Sequence, residues 1–260
     1  MPNFIAVAPE TIGKRRWKRP TAYHFAARTT MVPLLVAELA NATMALPLVF
    51  APQGADFHLA ALLGLTPGEN LFVAPDGRWL AGYVPAALRG YPFQVGSGSD
   101  GQKLLCVDAD MLIDEHVPGG EPVFNADGSL ADSVKPVLEF LSMELGNVSG
   151  TNEACAALQA ANLIVPWDIT VQSDQGSHKL EGLYKIDEPA LNALPDESFL
   201  ELRKKGALLV AYCQLLSTHH CNTLGQLAQA RRAVQAKSQA IRSATLSGDI
   251  DLSSLTSGRS

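Results

Sequence analysis

Between residues 31 and 65 the apolar positions crowd into short runs broken by single polar residues. Pro33 suits a first helical position, and Leu34, Leu35, Ala37 and Leu39 are spaced for a short helix ending near Asn41. Leu46 to Phe50 then reads as a strand. Asp56 is placed to cap a second helix that runs through Leu59, Leu62 and Leu63 and stops at Gly64. From Asn70 to Ile113 the pattern changes to short strands, Leu71 to Val73, Trp79 to Val84, Phe93 to Val95 and Lys103 to Val107, divided by Gly, Pro and Asp turns. Asp76-Gly77 and Asp127-Gly128 occur in similar contexts, each supplying a glycine where a tight turn needs positive φ. They count as local turn chemistry and not as a repeat.

Beyond residue 130 the period is mainly helical. Helices are predicted over Asp132 to Leu145, Thr151 to Leu163 with Thr151 as cap, Asp196 to Lys205, Ala207 to His219 and Thr223 to Arg242. A hairpin interrupts them, with strands at Ile169 to Val171 and Leu180 to Ile186 around Asp174-Gln-Gly176-Ser. Asp187 caps a brief helix from Pro189. The fold class is therefore α+β: an antiparallel sheet from the N-terminal half packed with helices mainly from the C-terminal half. Residues 1–30 lack periodicity and carry Lys14-Arg15-Arg16-Trp17-Lys18-Arg19, so they read as a basic arm. Residues 31–242 read as one α+β domain, and the serine-rich 243–260 as a disordered tail.

Composition narrows the function. With 47% hydrophobic and 18% charged residues, 260 residues bury a sizeable core. A net charge of −6 argues against a nucleic-acid or anionic-membrane partner, which rewards a basic surface, and leaves nucleic-acid binding through Lys14 to Arg19 the least supported reading. Cys106, Cys155, Cys213 and Cys221 are too sparse for a disulfide scaffold and are expected as reduced thiols. The most apolar stretch, Met31 to Phe50, is broken by Pro33, Glu38, Asn41 and Pro47, so no transmembrane segment is predicted. Arg15 and Arg16 precede that stretch as in a twin-arginine signal. Pro20, Tyr23, His24 and Arg28 intervene, however, and a cytoplasmic location is expected.

Candidate chemistry falls into four groups. Gly96 to Gly101 matches GxGxxG after a strand, but Lys103 to Val107 follows as another strand. No helix N-terminus then receives a pyrophosphate, and a hairpin loop is favoured. Asp108 and Asp110, as alternate strand residues on one face, and nearby His116 are candidate hard-metal ligands; a strand leaving the sheet toward solvent gives the same letters. Cys213, His219, His220 and Cys221 match no common zinc spacing and suit the end of a core helix. Trp79, Tyr83, Arg89 and Tyr91 crowd one short region, and aromatics beside arginine are typical of binding surfaces, although aromatic strand residues pack the same way. No GxSxG elbow, Walker loop or HExxH is present, and no cofactor is expected.

Several segments in order resemble the SapC family: Leu46 to Phe50, Leu62 to Leu65, Glu69 to Phe72 leading into Asp76 to Trp79, Tyr83 to Pro85, Arg89, Tyr91 to Phe93, Leu180 to Glu188 and Leu208 to Ser217. The resemblance covers about residues 20–230. Leu46 departs from it, standing where an aromatic, typically tyrosine, precedes the proline. The family supplies no catalytic motif to transfer. Its name comes from a surface-layer gene cluster, which implies a link to surface-protein transport. Relatives are often encoded near TonB-dependent receptors and halogenase-like flavoproteins. The resemblance thus implies a non-catalytic accessory or binding protein in a bacterial surface-layer, transport or nutrient-uptake system. A protein partner is expected, with Trp79, Tyr83, Arg89 and Tyr91 as its partner- or ligand-binding candidates. The alternative is a metal-assisted enzyme built on the Asp/His or the Cys/His group.

Overall fold

The computed structural model describes residues 2–98, 101–173 and 176–246. At the N-terminus, Phe4–Ala6 (β1) leads through the single turn Pro9–Ile12 (α1) to Arg16–Trp17 (β2). Neither strand is a free arm, contrary to the sequence expectation. β1 pairs antiparallel with Lys103–Asp108, and β2 lies between Leu112–Ile113 and Glu121–Pro122. Trp17 is 1% exposed and meets Phe93 edge-on at 5.0 Å. The basic run is largely engaged: Arg16 donates to Gly120 O, Arg19 makes a two-pronged contact with Glu121, and Lys14 sits 3.9 Å from Glu115. Two- and three-residue strands whose partners lie about a hundred residues away leave no periodicity to read.

Next come Met31–Pro33 (β3), a short 3₁₀ turn at Val36–Glu38, Leu39–Ala42 (α2), Leu48–Gln53 (β4) and Asp56–Leu62 (β5). Two expectations fail here. The segment from Pro33 is not one helix, because β3 pairs with β5 and Pro33 sits on an edge strand, where a missing N–H is tolerated. The helix expected from Asp56 is instead β5, joined to β4 by a tight hairpin. Leu59 to Leu62 are all buried, and a strand covered on both faces loses the alternation that would reveal it. Gly64 ends no helix; a Cβ there would fall 2.0 Å from Glu69 O, so its role is close backbone approach.

Leu71 to Val73 and Trp79 to Val84 form no ladder beyond the single bridge Val73–Trp79, correcting both strand assignments. The Asp-Gly turns behave as expected and alike. Gly77 (φ 84°) closes beneath Val73–Trp79, and Gly128 (φ 81°) closes beneath Phe124–Leu130. After Ala86–Arg89 (α3), Phe93–Ser97 (β6) and Lys103–Asp108 (β7) form the hairpin expected for the GxGxxG segment, with residues 99–100 outside the described residues. Leu112–Ile113 (β8) and Glu121–Pro122 (β9) flank β2.

Lys135–Ala160 (α4) is one helix of 26 residues, not the two expected. It runs through Gly146 and Gly150, and Thr151 is interior: its hydroxyl donates to Asn147 O (2.9 Å) and accepts from Val36 N (3.0 Å). Burial of Ala154, Cys155 and Leu158 holds the helix together where glycine propensity would break it. Ile164–Pro166 (β10), the hairpin Ile169–Ser173 (β11) and Gly176–Leu180 (β12), and Tyr184–Ile186 (β13) follow; residues 174–175 at the hairpin tip lie outside the described residues. Asp187 caps Glu188–Asn192 (α5) by accepting from Ala190 N, as expected. Asp196–Lys204 (α6), Ala207–Ser217 (α7) and His220–Leu246 (α8) complete the chain. The tail expected over 243–260 is helical to Leu246, and residues 247–260 lie outside the described residues.

The central sheet has the order β10-β13-β4-β5-β3, with α4 and α7 packed against it. Buried Gln214 on α7 accepts from Ile186 N (2.9 Å) and donates to Leu48 O (3.2 Å), and Ser217 accepts from Leu48 N (3.0 Å). These contacts satisfy backbone groups where β4 and β13 pair through one residue each, Phe50 and Tyr184. Leu46, the departure from the SapC pattern, is fully buried in this core. A second apolar cluster, Trp17, Phe93, Val107, Val123, Val134 and Leu141, fills the space beneath β1, β6 and β7. The fold is α+β, with strands mostly in the N-terminal half and helices mostly in the C-terminal half. Among the described residues no helix is long and apolar enough to cross a membrane.

Candidate functional site

The two apolar clusters leave a cleft of about 500 Å³ between β3, β5, α3, β6 and the middle of α4. Leu34, Leu59, Phe93, Leu141, Leu145 and Val148 supply an apolar wall. Three titratable side chains face it: Glu38, His58 and Glu144. The turn before α2 places Glu38, β5 places His58, and the continuous α4 places Glu144 one turn from Leu141 and Val148.

Glu38 is 5% exposed and fully hydrogen-bonded. One oxygen accepts from Leu35 N (3.0 Å); the other accepts from Ala86 N (2.6 Å) and from the Tyr83 hydroxyl (2.9 Å). That hydroxyl in turn accepts from the Arg89 guanidinium at 3.2 Å. Burial, and then the hydrogen bond to Glu38, push the Tyr83 phenol up to about 12, so it stays a neutral donor.

Glu144 and His58 differ from Glu38 in each having one buried polar atom without a partner among the described residues. Glu144 Oε1 and His58 Nδ1 are buried atoms with no hydrogen bond among the described residues. Burial first, and the nearby Glu38 charge second, push the Glu144 carboxyl up to about 7, with Arg89 partly opposing. Burial holds the His58 imidazole below its ordinary value, hence neutral at pH 7. The cleft thus joins an apolar wall to two buried polar atoms without hydrogen-bond partners among the described residues.

The residues singled out from sequence fall in different places. Trp79, Tyr83 and Arg89 do converge: Trp79 Nε1 donates to Tyr83 O (2.8 Å), and the Arg89 guanidinium lies 5.6 Å from the Tyr83 ring and 5.0 Å from that of Phe140. They stand behind the cleft and reach it through Glu38. Tyr91 is separate. Its ring stacks on Phe25 at 3.8 Å, and its hydroxyl donates to Asp108 (2.7 Å) and is pushed up chiefly by burial.

Asp108 and Asp110 line one pocket with His24 and Arg28, and His116 is not among its described lining residues. Asp108 is buried and accepts from Asn3 N (3.1 Å), Asp110 N (3.2 Å) and Tyr91. β7 ends at Asp108, and Asp110 lies in a 3₁₀ turn, so the expected alternation of the two acids on one strand face does not arise. His116 is an exposed side chain against Glu115 (3.5 Å). At the α7–α8 corner the His219 and His220 rings lie 3.9 Å apart, and His220 Nε2 is 3.0 Å from Thr43 O. Cys213 is buried in α7, and burial pushes the Cys221 thiol up to about 11. Among the described residues no three His, Cys, Asp or Glu side chains are grouped to hold a metal.

Glu38, His58 and Glu144 were not foreseen. The one sequence signal was Glu38 itself, an acid inside the apolar run from Met31 to Phe50. A lone acid in such a run demands a partner once buried.

The architecture defines an α+β protein with an apolar, acid-lined cleft between its two cores. The SapC family model matches residues 9–224, and the chain belongs to the SapC family. Comparisons with curated proteins and with solved structures give no match.

Proposed function

We propose that this protein is a non-catalytic binding protein acting in the cytoplasm as an accessory to a bacterial surface-layer, transport or nutrient-uptake system, and that the cleft ringed by Glu38, His58 and Glu144 is its ligand site. The observation that carries this reading is the combination of an apolar wall with two buried polar atoms that lack partners, Glu144 Oε1 and His58 Nδ1. Cavities of this size and makeup hold small molecules, whose polar groups complete such hydrogen bonds. Family membership supports the choice of system. The Glu38–Tyr83–Arg89 chain joins the cleft to exposed Arg89, and this surface is the one offered to a protein partner.

The test is affinity purification of the tagged chain from its native cells, with mass spectrometry of both co-purifying proteins and extracted small molecules, beside a Val148→Trp variant that fills the cleft mouth. A small molecule recovered with the wild type and lost from the variant supports the reading. Identical extracts from both proteins overturn it.

A further inference from the structure

The charge lining the cleft selects the ligand class. Its ionisable residues are Glu38, His58 and Glu144; the remaining polar lining, Gln53, Gln94, Thr151 and Asn152, is neutral. Among the described residues no lysine or arginine lines the wall. The nearest cation described, Arg89, is engaged with the Tyr83 hydroxyl and the Phe140 ring. Glu38 has its donors, whereas Glu144 presents a buried oxygen with none. A carboxylate or phosphate head placed here would meet two acids and no counter-charge. A head that donates hydrogen bonds and carries positive charge completes the site.

Resting on the ligand-site reading above, we infer that the cleft takes an amine carried on an apolar body, with Glu144 as the counter-ion of its ammonium group and the open His58 ring nitrogen as a further acceptor in the same cleft. The apolar body lies along Leu34, Leu59, Leu141 and Val148. Binding is coupled to a proton. The groups facing Glu144 are Glu38, which disfavours its charge, Arg89, which favours it, neutral Tyr83 behind Glu38, and neutral His58 across the cleft. Around neutral pH the Glu144 carboxyl is partly protonated. When an ammonium ion enters, Glu144–COOH gives its proton to solvent and the carboxylate pairs with R–NH₃⁺, so charge and protons balance. Affinity therefore falls as pH drops and Glu144 takes up a proton that binding must expel. Between about pH 8 and about pH 6 the loss approaches tenfold.

Isothermal titration calorimetry of the full chain with octylamine, 1-octanol and octanoate tests this. Expected are octylamine binding tighter than 1-octanol, about tenfold weaker at pH 6 than at pH 8, and no octanoate binding. Octylamine titrated near pH 7 in two buffers of different ionisation enthalpy should report proton release from the wild type. Glu144→Gln should abolish the release and the pH dependence while keeping 1-octanol binding. If 1-octanol binds as well as octylamine, or octylamine binding is flat with pH, the amine assignment is overturned and the cleft reading stands. If none of the three binds, both fall.

Discussion

Two buried acidic sites, the Asp108 nook and the cleft with Glu38 and Glu144, answer the problem of a carboxylate inside protein in opposite ways. Asp108 ties together a strand end, a 3₁₀ turn and the Tyr91 ring with three donors. Glu38 is satisfied in the same manner, but its neighbour Glu144 is left with a buried oxygen that nothing in the described chain reaches. A satisfied acid stabilises a fold, and an unsatisfied one beside a cavity costs stability that a ligand recovers. The Asp108 carboxylate is thus held by three donors, whereas Glu144 Oε1 has none among the described residues.

The comparison can be broken at its largest effect by Asp108→Ala. This strands the Tyr91 hydroxyl and the Asn3 and Asp110 amides, and about 2–4 kcal/mol of stability should be lost in urea unfolding. Amine binding by the surviving folded fraction should be unchanged. A variant as stable as wild type would show that Asp108 is not the structural acid.

Glu144→Gln should act in the other direction. In the folded protein the Glu144 carboxyl sits at about 7, above its ordinary 4.5, so its neutral form favours folding. That contribution is present below about pH 4.5 and is lost as pH rises through about 7. Because the group is only half buried, screening reduces the effect to about 1–2 kcal/mol. Thermal unfolding should show the variant gaining on the wild type between pH 5 and pH 8; parallel curves would contradict the raised carboxyl. The smallest effect belongs to His116→Ala. An exposed histidine paired with Glu115 should change stability by less than about 0.5 kcal/mol when removed, and added divalent ions should not distinguish the variant from wild type in thermal melts. A zinc- or manganese-dependent shift present in wild type and lost in the variant would revive the metal reading.

Much of the fold was legible wherever a few neighbouring residues decide the structure. The Asp76-Gly77 and Asp127-Gly128 turns, the Asp187 cap, the β6–β7 hairpin and helices α6 and α7 all depend on local hydrogen bonds or on φ, and they stand where sequence reading put them. Of the four binding candidates, Trp79 and Arg89 each contact Tyr83, and Tyr91 stacks on Phe25 instead. The cleft itself was not legible. Its acids and histidine come from positions 38, 58 and 144, and no spacing links them.

By itself the sequence determined the α+β class, the turn and cap chemistry and membership of the SapC family, because these rest on residue type and near-neighbour order. Tertiary structure alone decided that Asp56–Leu62 is a strand, that Trp17 anchors a second core, that α4 continues through Gly146 and Gly150, and that Glu144 Oε1 has no partner among the described residues. Burial on both faces erases periodicity, packing outweighs propensity by more than the fraction of a kcal/mol that separates helix from strand, and an unsatisfied atom is defined only by everything that surrounds it.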